Sequence, residues 1–155
     1  MALVGVVIGS KSDANMIQPA LDMLQQLGIA YELSVISGHR NPETLREYGL
    51  KAEGQGFEVI IAAAGGAAHL PGIMASWTTL PVIGIPLPSS ELDGIDALLS
   101  IAQMPAGVPV ACVGIGTSGA KNAALLAAQI LGTKHGEIAE AYRKYKTKLA
   151  EGQDD

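Results

Sequence analysis

Three short segments of this chain gather the side chains that can hold an anion or move a proton. The first is Gly9-Ser10-Lys11-Ser12-Asp13, which combines hydroxyls, an ammonium and a carboxylate. Placed between a strand and a helix, such a loop offers a cation and backbone N–H groups to an anion. The same residues also read as an ordinary capped turn with Asp13 as the N-cap. The spacing is not that of a Walker A loop, and no G-x-G-x-x-G follows a strand. The second segment is Ser37-Gly38-His39-Arg40-Asn41-Pro42. Arginine matches phosphate oxygens with a fork of donors, and histidine changes charge near neutral pH. The alternative is a solvated pair at a strand end. The third is Ala64 to Gly72, where His69 lies among Gly65, Gly66, Ala67, Ala68 and Leu70. Small residues let a flat ligand approach the backbone. His69 reads equally as a catalyst or as a hydrogen-bonded spacer.

Other chemistries find less support. His39 and His69 without a nearby carboxylate or thiolate make a poor metal site, so no metal is expected. No G-x-S-x-G elbow supports a serine hydrolase. Cys112 is the single cysteine, which excludes an intrachain disulfide, and its apolar run Val110 to Val113 predicts a buried, inert thiol. His135 reads as a surface residue. Of the ten basic residues, five lie from Lys134 onward, where several complement a helix C-terminus. Lys11 and Arg40 stand out among the rest because both fall in candidate ligand loops.

The elements that must position these loops alternate along the chain. Strands are predicted at Leu3–Ile8, Tyr31–Ile36, Phe57–Ala64, Pro81–Ile85 and Val108–Ile115. Helices are predicted from Ala14 to Leu27, from Pro42 with Asn41 as N-cap, through Ile73 and Trp77, and from Asp93 or Gly94 to Ala102. Two more cover Ala120–Leu131 and Glu137–Ala150. Nearly continuous apolar strands alternating with helices indicate a parallel sheet covered on both faces. In such sheets ligands bind beyond the carboxyl ends of the strands, where the strand order switches. With the order 2-1-3-4-5 the three segments become neighbours.

The 155 residues fit one domain, read as residues 1–150 with a frayed tail at 151–155. The net charge of −5 argues against a nucleic-acid or anionic-membrane partner. There are 23 Ala and 19 Gly but only six aromatic residues, which disfavours a base-stacking platform. No apolar run is long enough to span a bilayer, and no signal peptide is visible, so a cytoplasmic protein is expected. Ile73, Trp77 and the apolar face of the last helix exceed what a small Ala-rich domain covers, which suggests self-association.

The three segments, with Gly94 to Pro105 and Asn122 to Leu131, closely resemble the aminoimidazole ribonucleotide carboxylase family of purine biosynthesis. The resemblance runs from about Val4 to Leu131 and favours the N5-carboxyaminoimidazole ribonucleotide mutase branch. It implies a three-layer flavodoxin-like α/β fold with a five-stranded parallel sheet plus a C-terminal helix, and a homo-octamer. It implies an isomerase that moves a carboxylate from an exocyclic nitrogen to a ring carbon, with a phosphorylated ribonucleotide as substrate and no cofactor, metal or ATP. Carried over by position, His39 is the general acid/base and Ser10, Asp13 and Arg40 contact substrate. Ser12, Ser37, Gly65, Gly66, Ala67, His69 and Leu70 line the same pocket. The family's usual Ser-Ala-His-Arg-Thr-Pro has Gly38 and Asn41 here in place of Ala and Thr. A second branch, which uses free carbon dioxide, is associated with Lys after the His, so Arg40 favours the mutase. The alternatives are that carboxylase and a non-catalytic mononucleotide- or flavin-binding module.

Overall fold

Side chains of the first strand alternate between two apolar layers, and that alternation organises the molecule. The computed structural model describes residues 3–153. It contains β1 (Val4–Ile8), α1 (Ala14–Gln26), β2 (Tyr31–Val35), α2 (Pro42–Lys51), β3 (Val59–Gly65) and α3 (His69–Trp77). There follow β4 (Val82–Leu87), α4 (Ile95–Ala102), β5 (Ala111–Cys112), α5 (Gly116–Gly132) and α6 (Gly136–Ala150). The five strands are parallel, in the order β2-β1-β3-β4-β5. Val4, Val6 and Ile8 pack with α1, α5 and α6, while Val7 packs with α2 and α3. On β3, Val59, Ile61 and Ala63 join the first layer, and Ile60 and Ala62 join the second. This is the expected three-layer flavodoxin-like architecture.

The alanines have a definite place. Ala120, Ala123, Ala124, Ala127 and Ala128 of α5 are fully buried against the core shared with α1. Their small side chains allow close helix packing. The face of α6 bearing Ile138 and Tyr145 is covered within the chain, leaving Leu149 exposed. The sequence-based expectation of an uncovered last helix is therefore corrected. Uncovered apolar surface instead concentrates near α4, at Leu92, Ile95 and Leu99, with Trp77 on α3 also exposed.

Boundaries differ from expectation where backbone chemistry intervenes. The fifth strand pairs only at Ala111 and Cys112. Pro109 has no N–H to donate, and Gly114 at φ 131° turns the chain away from the sheet. Helix α1 runs through Pro19, whose ring deprives only the exposed Asn15 carbonyl of its partner. His135 is not a bare surface residue. Its Nε2 lies 3.0 Å from Glu58, which also accepts from Lys134 at 3.0 Å, tying the α5–α6 turn to the start of β3. Past α6, Gly152 and Gln153 donate to Leu149 and Lys148, so this part of the expected frayed tail closes the helix by hydrogen bonds. Residues 154 and 155 lie outside the described residues.

Candidate active site

The sheet register brings the three segments together. Ile8 is level with Val35 on one side and with Ala63 on the other. The loops that follow β1, β2 and β3 therefore leave the sheet at its carboxyl end, at the switch in strand order. They enclose a cavity of about 200 Å³ lined by Gly9, Asp13, Ser37, Gly38, His39, Ala63, Ala64, Gly65 and Ala67 through Leu70. A second cavity of about 370 Å³ is lined by Gly9, Ser10, Lys11, Val35, Ser37, Arg40 and Asn41. Gly9 and Ser37 line both, so the cavities are adjacent lobes of one crevice.

In the first lobe, His39 and His69 meet from different loops. His39 Nε2 lies 2.7 Å from His69 Nδ1. The ring centroids are 5.0 Å apart and the planes meet at 89°. The tight turn after β2 fixes His39: the Asn41 amide donates to the Ser37 carbonyl at 2.8 Å, and the Arg40 amide donates to Ser37 Oγ at 3.2 Å. Backbone strain fixes His69. Ala68, immediately before it, holds left-handed angles of φ 48° and ψ 50°. A non-glycine residue pays roughly 1–2 kcal/mol for that conformation. The Ala68 amide closes the turn by donating to the Gly65 carbonyl at 3.0 Å. A Cβ on Gly65 would displace the Ser89 hydroxyl and crowd the Leu87 carbonyl oxygen at 3.2 Å, so the close approach here suits glycine.

The loop after β1 departs from the expected capping. Ser10, not Asp13, serves the first turn: its hydroxyl accepts from the Ser12 amide at 3.4 Å. The Asp13 carboxylate makes no capping bond to α1 and lines the first lobe instead. Burial raises its pKa, opposed by the backbone bond to Ser10. Asn41 likewise makes no side-chain cap on α2 and lines the second lobe. There the cations Lys11 and Arg40 and the hydroxyl of Ser10 face one space. This set suits a phosphate, which takes charge-assisted bonds from both cations.

Most of the residues singled out from sequence converge. Asp13, Ser37, His39, Gly65, Ala67, His69 and Leu70 line the first lobe, and Ser10, Ser37 and Arg40 line the second. Ser12 and Gly66 line neither. The Ser12 hydroxyl lies 3.0 Å from Ser10 Oγ and steadies it, and Gly66 at φ 61° shapes the turn. Lys11 belongs among the site residues although sequence reasoning left it as a loop cation. Its position two residues before Asp13 was the available signal. The sequence pairs His39 and His69 only as a poor metal site on neighbouring loops, and their direct hydrogen bond, which joins residues 30 positions apart, lies beyond the reach of local spacing. Cys112 is half-buried rather than buried, its thiol pushed up by desolvation, and it packs near α4. Among the described residues no three His, Cys, Asp or Glu side chains gather as a metal site, and no helix is long and apolar enough to cross a membrane.

The profile of the AIR carboxylase family matches residues 3–152. The chain belongs to the AIR carboxylase family. Within it, the chain is 57% identical over 150 residues to the N5-carboxyaminoimidazole ribonucleotide mutase of Pseudomonas aeruginosa, covering 97% of this chain and 92% of that one. It is 52% identical over 149 residues to the Thermotoga maritima protein of the same name, covering 96% and 86%. Family likeness extends to three dimensions. The crystal structure of Treponema denticola PurE superposes with a TM-score of 0.87 at 29% identity, covering 98% of this chain and 94% of that one.

Proposed function

We propose that this chain converts N5-carboxyaminoimidazole ribonucleotide to 4-carboxy-5-aminoimidazole ribonucleotide, an isomerisation within purine biosynthesis. The observation that carries the reading is the division of the crevice. One lobe holds the imidazole of His39 among small residues, and the adjoining lobe holds Arg40, Lys11 and Ser10. A phosphorylated ribonucleotide has the matching division into planar ring and phosphate. The relatives named for this reaction, at 48–57% identity, support the mutase branch, as does Arg40 after the histidine.

The chemistry follows from the residues. The bond between the exocyclic nitrogen and the carboxylate breaks, giving carbon dioxide, and His39 supplies a proton to that nitrogen. The ring carbon then attacks carbon dioxide and returns its proton to His39, so the proton count closes. One group in both roles must give and take a proton near working pH, as histidine does. The wall of Ala63, Ala64, Gly65 and Ala67 keeps carbon dioxide close to the ring carbon. Helix α3 begins at this wall, and its first-turn amides and dipole suit the carboxylate. Asp13 is placed to take ribose hydroxyls, and Ser12 supports Ser10. Residues 1–150 act as one catalytic domain without cofactor or metal.

We also propose a cytoplasmic homo-octamer, its contacts supported by the uncovered apolar surface at α4 and Trp77. The deciding experiment follows the carboxyamino substrate spectrophotometrically with wild type and His39→Asn. Turnover by wild type and none by the variant, with substrate still bound, is the expected result. Wild-type turnover by His39→Asn would remove His39 from its role. Efficient carboxylation of aminoimidazole ribonucleotide at low bicarbonate, without turnover of the carboxyamino substrate, would transfer the chain to the carboxylase branch. Inactivity on both, with a yellow protein, would indicate a flavin-binding module.

A further inference from the structure

We infer that His69 is a positioning residue for His39, the two rings forming a dyad that shares one proton and selects the His39 nitrogen presented to substrate. The chemistry of this dyad rests on the mutase reading, whereas its geometry does not. At 2.7 Å the facing nitrogens, His39 Nε2 and His69 Nδ1, hold a single proton between them. Two protons would collide, and none would leave no hydrogen bond. His39 Nε2 is thereby engaged, and Nδ1 is the nitrogen left for substrate.

The place of the shared proton decides what neutral His39 can do. With the proton on His39 Nε2, Nδ1 is an acceptor. With the proton on His69 Nδ1, His39 carries its own proton on Nδ1 and is a donor. These are the two roles the reaction asks of one imidazole. Starting with three ring protons on the pair, His39 Nδ1–H passes to the substrate nitrogen as the bond to carboxylate breaks. The shared proton crosses from His69 Nδ1 to His39 Nε2, and His69 keeps its Nε2 proton and becomes neutral. When the ring carbon bonds to carbon dioxide, its proton goes to His39 Nδ1 and the shared proton returns. No proton is gained or lost.

The scaffold is built to hold this contact. Ala68 is kept in a left-handed conformation directly before His69, and the Ser37 turn restrains the chain beside His39. The other ionisable groups around the crevice are Asp13, in the same lobe, and Arg40 and Lys11, in the adjoining lobe. Asp13 is the carboxylate that lines the lobe of the two rings, and the hydrogen bond of His39 Nε2 goes to His69 Nδ1.

The test combines ring nitrogen NMR of the ¹⁵N-labelled full chain with kinetics of His69→Ala and His69→Asn. Asparagine retains a polar atom near the place of Nδ1. Because the shared proton crosses only as Nδ1 exchanges a proton with substrate, a dyad predicts one dominant His39 tautomer in substrate-free wild type and an averaged pair in His69→Ala. In that alanine variant kcat falls about 10- to 100-fold, KM stays within about twofold, and a limb of the pH–rate profile moves. His69→Asn recovers part of kcat. A spacer role would leave the tautomer and the pH profile unchanged. Wild-type kcat and pH profile in His69→Ala, or averaged His39 tautomers in wild type, overturns the inference. Should His69→Ala fail to fold, the wild-type spectrum and His69→Asn decide. Wild type inactive on the carboxyamino substrate would overturn the mutase reading instead, with the spectra still judging the dyad.

Discussion

At the scale of single residues, the site is most informative where local rules give way. Asp13 and Asn41 have the chemistry and position of helix caps, yet neither caps its helix. Both line a lobe of the crevice instead. Functional positions are where a locally consistent sequence is expected to deviate. The identities of His39, Arg40 and Ser10 were legible because few other residues carry such chemistry at strand ends. The His39–His69 contact was not, because it depends on how two loops fold toward each other. The two cations of the second lobe make a direct prediction. A charge-assisted bond to phosphate is worth about 1.5–3 kcal/mol, so Arg40→Ala should raise KM by roughly 10- to 100-fold. On the proposed reading Arg40 binds phosphate and takes no part in the chemistry, so kcat measured at saturation should hold. Lys11→Ala should act in the same direction. A fall in kcat at unchanged KM would place Arg40 in the chemistry rather than the binding.

At the scale of elements, the alternation of strands and helices was readable because the parallel strands are apolar along nearly their whole length. Strand order was inferable only as a condition on the loops meeting, and pairing decides it. The shortening of the last strand to two residues shows what periodicity misses. The apolar run from Val108 to Ile115 looks uniform, but Pro109 and Gly114 break its ladder at both ends. The turn that follows depends on close backbone approach. A Cβ on Gly119 would lie 1.9 Å from the Gly114 carbonyl oxygen, and backbone cannot swing aside as a side chain can. Gly119→Ala should therefore cost about 1–3 kcal/mol. That corresponds to a fall in Tm of roughly 2–4 °C per kcal/mol for a domain of this size. Calorimetry on the variant checks it. An unchanged Tm would mean that the start of α5 can shift without loss.

At the scale of the whole molecule, the amino end of the sheet, opposite the crevice, carries a clasp. Glu58, just before β3, accepts from Lys134 and His135 in the turn between α5 and α6. It joins sequence positions 76 and 77 residues apart, which is why composition alone gave His135 no partner. The Lys134 bond is the main cause holding the Glu58 carboxyl below its ordinary 4.5, partial burial opposes it, and His135 adds to the lowering. A carboxylate lowered by folding stabilises the native state above its unfolded pKa. That contribution disappears as pH falls through the folded value, because the unfolded chain then binds no more protons than the folded one. Lys134 is 69% exposed, so solvent screening limits the pair to about 0.5–1 kcal/mol. Glu58→Gln should accordingly lower Tm slightly at about pH 7 and approach wild type as acidification protonates Glu58 below the ordinary carboxylate range. The convergence is the signature to look for in thermal melts across that range. A gap between wild type and variant that stays constant down to the acid end would assign the clasp to packing of the α5–α6 turn rather than to charge.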